Sequence, residues 1–138
     1  MKKYKILIVE DDLTLGELLL RVFSRRENVS VTWYVRARRD GAGALIFMDA
    51  DGAEFSFCEQ AFDLAFVDWQ LKMSSLSGLE VTRELCARAM VVVAASGDPS
   101  LNSQLVEAGA RIGITKDRLF SRALEEADFV EQLAATLP

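Results

Sequence analysis

The sequence predicts an α/β fold: a single five-stranded parallel sheet, doubly wound, with helices on both faces. Short apolar runs at Ile6 to Val9, Leu64 to Val67 and Met90 to Ala95 have the length and composition of strands covered on both sides. Stretches with apolar residues at helical spacing separate them. Regular alternation of the two patterns is the mark of βαβ units and therefore of parallel strands.

Taken in order, Ile6 to Val9 forms the first strand and ends in Glu10-Asp11-Asp12. Thr14 and Glu17 have capping-box spacing for the helix that follows, with Leu15, Leu18, Leu19, Val22 and Phe23 on one face. Val29, Val31, Trp33 and Val35 alternate as in a second strand. Leu64 to Val67 is the third strand and ends in Asp68; a helix starts near Gly78. Met90 to Ala95 is the fourth strand, broken by Ser96-Gly97-Asp98-Pro99, and a helix from Ser100 stops at Gly109. Ile112 and Ile114 make a short fifth strand. A final helix carries Leu119, Phe120, Ala123, Leu124, Ala127, Val130 and Leu137 along one stripe.

Arg36 to Gln60 supports two readings. In the favoured one a helix begins at Asp40-Gly41, carries Ala44 and Leu45, and is followed by an insertion at Asp49 to Phe57. In the other, Ala44 to Met48 is an extra strand in a hairpin turned at Asp40 to Gly43, and the helix begins after Gly52.

Bulk properties narrow the function classes. With 138 residues, 51% hydrophobic and 27% charged, the chain has the size and composition of one globular domain, residues 1–138. A formal net charge of −5 argues against nucleic-acid binding by this segment. The cluster Arg36, Arg38, Arg39 reads as a solvated strand or turn. Cys58 and Cys86 have neither metal-site spacing nor disulfide density, and read as small buried apolar groups in a reducing compartment. No apolar run reaches the roughly 18 residues of a membrane span, and the start Met-Lys-Lys-Tyr-Lys is not that of a secretory signal. The expected location is the cytoplasm, away from the membrane.

In an open parallel sheet, ligands gather beyond the carboxyl ends of the strands. Glu10-Asp11 and Asp68 stand at two such ends. If those strands are neighbours, three carboxylates converge, and a hard divalent cation such as Mg²⁺ is the natural counter-charge. A carboxylate so placed is a candidate nucleophile toward phosphorus, and Lys116 is the candidate cation. Singly, each residue also fits an ordinary helix-end or turn role. Trp69, beside the acceptor, reads as a packing or rim residue.

At these residues the chain resembles the response-regulator receiver domains of two-component signalling. The matching segments are Ile6-Leu7-Ile8-Val9-Glu10-Asp11-Asp12, Phe62-Asp63-Leu64-Ala65-Phe66-Val67-Asp68, Ser77-Gly78-Leu79-Glu80-Val81, Glu107-Ala108-Gly109-Ala110 and Ile114-Thr115-Lys116. The resemblance implies a flavodoxin-like (βα)5 fold with strand order 2-1-3-4-5. It implies Asp68 as phosphoacceptor, with Asp11, Asp68 and the Gln70 backbone carbonyl as Mg²⁺ ligands and Glu10 completing the acidic pocket. Lys116 would pair with the phosphoryl oxygens. The donor would be a histidine kinase or phosphotransfer protein, the output protein or domain is not specified, and the chain would assist its own phosphoryl transfer and hydrolysis without being an enzyme in the ordinary sense.

Departures from the family pattern are specific. Lys72 replaces the usual Pro, and Gly78 lies ten residues after Asp68 instead of eight, so loop 71–77 is lengthened. Asp11 and Asp68 are also further apart than usual, which fits an insertion within 36–60. A gap-free count back from Gly109 puts Ala94 where the family has a Thr or Ser hydroxyl; a shift of two residues offers Ser96 instead. Gly113 stands for the switch aromatic, and Asp117 for the Pro after the lysine. Two rivals follow. One is a pseudo-receiver that binds proteins without being phosphorylated. The other, from Ala44 to Gly52, is the strand-plus-acid motif of haloacid-dehalogenase-type phosphatases with Asp49 as nucleophile, for which a polar turn is the better reading.

Overall fold

The computed structural model describes residues 2–58 and 61–135. The parallel sheet comprises β1 (Tyr4–Val9), β2 (Val29–Tyr34), β6 (Leu64–Val67), β7 (Val91–Ala94) and β8 (Ile112–Gly113), ordered β2-β1-β6-β7-β8. Counting only these five strands, that is the expected 2-1-3-4-5 order. Helices α1 (Leu13–Ser24), α4 (Lys116–Glu125) and α5 (Phe129–Ala135) cover one face; α2 (Gly78–Ala87) and α3 (Pro99–Glu107) lie on the other. No helix among the described residues is long and apolar enough to cross a membrane.

Period-two alternation sorts the strands' side chains between two cores. Ile6, Ile8, Phe66 and Val93 face α1, α4 and α5, where Phe23, Phe66 and Phe129 stack. Leu7, Val9, Val67 and Val92 face the opposite core, with Val81, Leu85 and Leu105 from α2 and α3. Burying a Leu- or Phe-sized side chain contributes about 1.5–3 kcal/mol, so these continuous apolar strands are strongly held between both layers.

In the second crossover the favoured helix from Asp40-Gly41 is absent, whereas the alternative's strand over Ala44 to Met48 and its hairpin turn at Asp40 to Gly43 are present. The helix which that alternative starts after Gly52 does not exist within the described residues of 36–60. The chain instead forms an antiparallel three-stranded sheet, β3 (Arg36–Arg39), β4 (Leu45–Met48) and β5 (Glu54–Ser56). Its two turns are built alike. Asp40 Oδ1 accepts the amides of Ala42 and Ala44, and Asp49 Oδ1 accepts those of Asp51 and Ala53. Each turn closes on a glycine in the left-handed region, Gly43 (φ +84°) and Gly52 (φ +87°). That is the pattern of a type I turn followed by a bulged glycine, which a helix start at Asp40 could not accommodate. Aromatic stacking pins the small sheet down: Tyr34 on Phe47 (5.1 Å) and Phe55 (5.6 Å), and Phe57 between Phe47 and Phe62.

Three local expectations also change. Asp12, not Thr14, caps α1 by accepting the Leu15 amide at 3.0 Å. The final helix is two helices, because Glu126 is extended (φ −99°, ψ 107°) and ends α4 before Ala127; Leu137 lies outside the described residues. Cys58 is exposed and Cys86 half-buried, both as free thiols.

Candidate functional site

Glu10 and Asp68 follow directly on β1 and β6, which pair in parallel with Val9 opposite Val67. The register therefore sets the two acids side by side at the same sheet edge. Carboxylate oxygens of Glu10, Asp11 and Asp68 lie within 4.8 Å of one another. Glu10 and Asp68 are buried, whereas Asp11 is half-exposed. Lys116, the first residue of α4, reaches back over the edge. Its Nζ is 2.8 Å from Glu10 Oε1 and 3.1 Å from Asp68 Oδ2. A cleft of about 340 Å³ opens above, lined by Asp11, Asp12, Asp68, Gln70, Lys72 and Lys116.

Backbone contacts hold the acids in place. The Glu10 amide donates to the Tyr34 carbonyl (3.0 Å), and the Trp33 indole N–H donates to the Glu10 carbonyl (2.8 Å). Trp33 fits because Gly16 has no side chain; a Cβ there would lie 2.1 Å from the indole. The Asp68 amide donates to the Val9 carbonyl at 3.1 Å. Gly78 opens α2 against the acceptor strand, where a Cβ would come within 1.8 Å of the Asp68 carbonyl oxygen. Ser77 and Glu80 close a full capping box on that helix. Lys72 contributes its amide, donated to Asp11 Oδ2 at 2.9 Å.

Electrostatics follow from this crowding. Burial, and then the Asp68 charge, raise the Glu10 carboxyl from 4.5 to about 8. Burial also raises Asp68, against the pull of Lys116. Burial opposes the Lys116 charge, but the Glu10 and Asp68 carboxylates outweigh it and hold its pKa above the usual lysine value. Even with Glu10 drawn toward its neutral form, Asp11 and Asp68 outnumber the single ammonium of Lys116. A hard divalent cation with oxygen donors suits the remaining charge, and Asp11, with no lysine or arginine in salt-bridge contact among the described residues, is the open ligand.

Ser96 is elsewhere. Val67 pairs with Ala94, so the next residue pair across these strands is Asp68 and Ala95, and the Ala95 side chain belongs to the same core as Phe66. Ala94 faces the other core, and Ser96 is engaged by residues at the start of α3. The Ser96 hydroxyl accepts the Asp98 amide at 3.2 Å at the start of α3. Its backbone is clasped by Asn102, whose Oδ1 accepts the Ser96 amide and whose Nδ2 donates to the Ser96 and Ile114 carbonyls. Asn102 also occupies the space where a side chain at 113 would go: a Cβ on Gly113 would lie 2.8 Å from Asn102 Cβ.

Asp49 is a turn residue. Its carboxylate is taken up by the Asp51 and Ala53 amides in the β4–β5 turn, and the strand it follows lies outside the parallel sheet, so the phosphatase reading is overturned in favour of the polar turn. Sequence reasoning passed over Trp33, Ala95, Asn102 and the Lys72 amide. The spacing Trp33 to Gly16 gave no signal, because the contact is made only once β2 lies beside α1.

No family model matches the sequence, and no curated protein matches it. Solved structures do. The receiver domain of the putative response regulator NarL from Mycobacterium tuberculosis superposes with a TM-score of 0.65 at 18% identity, covering 98% of each chain. The chain has the receiver-domain fold. The receiver domain of Francisella response regulator 1452 matches it at TM-score 0.61 and 13% identity, over 96% of this chain and 98% of that one. A putative response regulator from Chloroflexus aurantiacus matches at 0.65 and 17%, over 97% and 99%. On this receiver fold the acidic cluster and Lys116 sit at the carboxyl edge of the sheet, where such folds bind ligands.

Proposed function

We propose that this chain is a phosphorylation-dependent signalling switch that accepts a phosphoryl group on Asp68 from a phosphohistidine of a kinase or phosphotransfer protein. The observation that supports it most is the convergence of Glu10, Asp11 and Asp68 with Lys116 bonded to two of them. In the transfer, an Asp68 carboxylate oxygen bonds phosphorus as the bond to the donor's imidazole nitrogen breaks, and the imidazole leaves with that electron pair. Lys116 gives up its contact with Asp68 Oδ2 and donates to a phosphoryl oxygen, remaining tethered by Glu10. Asp11, Asp68 and the Gln70 carbonyl would hold Mg²⁺, with Glu10 behind them; when bound, the ion supplies charge neutralisation for the incoming phosphoryl group. Such chemistry needs positioning and charge more than covalent help from the protein.

The pseudo-receiver reading has one observation in its favour: Ala95, a methyl, is one residue beyond Ala94 as Asp68 is one beyond Val67. Intact-mass measurement after incubation with a small-molecule phosphodonor separates the two. The phosphoacceptor reading expects addition of one phosphoryl group that requires Mg²⁺ and vanishes in Asp68→Asn. No addition under any metal condition would favour the binding module.

A further inference from the structure

The two departures in spacing, the insertion within 36–60 and the lengthened loop 71–77, meet in space. The Ser74 hydroxyl accepts the Ala37 amide at 2.9 Å. It also lies 2.9 Å from the Ala37 carbonyl and 2.6 Å from the Leu76 carbonyl, with its single proton to give. The Leu76 amide then donates to the Ala37 carbonyl at 3.0 Å. Loop 71–77 thus occupies the free edge of β3, an edge that would otherwise present unpaired backbone groups. Two residues before Ser74, the Lys72 amide holds Asp11 Oδ2 at 2.9 Å. Leu71 and Leu76 are buried against the core that also holds Ala37 and Phe47.

We infer that Ser74 is a positioning residue: it fastens the acceptor loop to the small antiparallel sheet, so that the sheet sets where the Gln70–Lys72 segment meets the acidic pocket. This role rests on the proposed function for its purpose, but the latch itself is a property of the metal-free protein. Loop residues that are tied down at one end hold their other end in place, and outer partners of a ligand set govern its affinity. Without the latch, Gln70 and Lys72 would span an open loop whose ordering must be supplied when a cation binds.

Amide hydrogen exchange in metal-free Ser74→Ala tests the latch, with tryptophan-monitored Mg²⁺ titration as a second readout. The expected result is exchange at the Lys72 amide faster by about fivefold or more, and Mg²⁺ affinity lowered by about tenfold. Ser74→Thr, which keeps the hydroxyl, and the exposed neighbour Ser75→Ala are expected to stay within about twofold of the parent. Loss of protection at Ala37 with Lys72 exchange unchanged would overturn the inference, leaving Ser74 as a local cap on β3. Equal effects in Ser74→Ala and Ser74→Thr would overturn it too. If the parent binds no Mg²⁺, the proposed function fails, while the Lys72 exchange result still decides the latch.

Discussion

Asp68 and Ala95 are each one residue beyond the paired Val67 and Ala94, and the Ala95 amide donates to the Val67 carbonyl at 2.9 Å. Strand alternation puts Ala95, like Phe66, on the face to which Asp68 belongs. A methyl therefore occupies the position from which a hydroxyl could donate to a phosphoryl oxygen on Asp68. A single aimed donor in a dry site is worth about 10²–10³ in rate in other systems. Ala95→Ser is expected to speed phosphorylation by small phosphodonors by about tenfold or more, since one added oxygen is a small intrusion at a buried alanine. Phosphorylation rates measured by intact mass check this; an unchanged rate would mean that position 95 does not face the phosphoryl group.

The buried acids make stability depend on pH. Glu10 is raised from 4.5 to about 8, so the folded state holds its proton more tightly than the unfolded chain does. Its contribution is fully present below about pH 4.5 and is lost as pH rises through about 8. Metal-free protein is thus expected to lose stability between pH 5 and pH 8.5, by roughly 2–4 kcal/mol from this group. Glu10→Gln should flatten that slope. Urea denaturation at several pH values measures it, and equal slopes in parent and variant would contradict the assignment.

Gly78 is required by contact, since a Cβ would meet the Asp68 carbonyl oxygen at 1.8 Å and the Asp68 carbonyl carbon at 2.7 Å. These are backbone atoms of the acceptor strand and cannot move aside cheaply. Gly78→Ala is expected to destabilise by about 3 kcal/mol or more and to displace Asp68. Denaturant unfolding together with the chemical shift of the Asp68 amide reports both effects.

The antiparallel sheet belongs to the domain core. Phe47 is fully buried and stacks on Tyr34. Phe47→Ala is expected to cost about 3–5 kcal/mol. Arg38→Ala, which removes a 2.5 Å ion pair with Glu54 between two exposed side chains, is expected to leave the denaturation midpoint nearly unchanged, because solvent screens such a pair. Comparable losses from the two variants would mean that the sheet is held from outside by charge, not from beneath by aromatic packing.

The central strands β1, β6 and β7 were legible because they are buried on both faces and read as apolar runs, whereas the edge strand β2 was legible from its alternation. The acidic pocket was legible because its acids end those runs. Residues 36–58 were harder. Ala44 to Met48 suits a strand or a helix equally, and what decides between them is the pair of Asp-x-x-Gly turns at Asp40–Gly43 and Asp49–Gly52. Both turns are visible in the sequence, and they select the reading with a strand over Ala44 to Met48. Ala95 was missed because counting from Gly109 ignores where β7 and α3 divide the intervening residues; only strand register fixes that. The break at Glu126 carries no Gly or Pro, and the apolar stripe runs on across it through Phe129 and Val130.

Borohydride reduction of the phosphorylated protein, followed by peptide sequencing, tests the central claim most directly, because an aspartyl phosphate is converted to homoserine where it stands. The predicted result is homoserine at position 68 alone, formed only when Mg²⁺ and phosphodonor were both present. Homoserine at Asp11 or Asp49, or at no position, would contradict it.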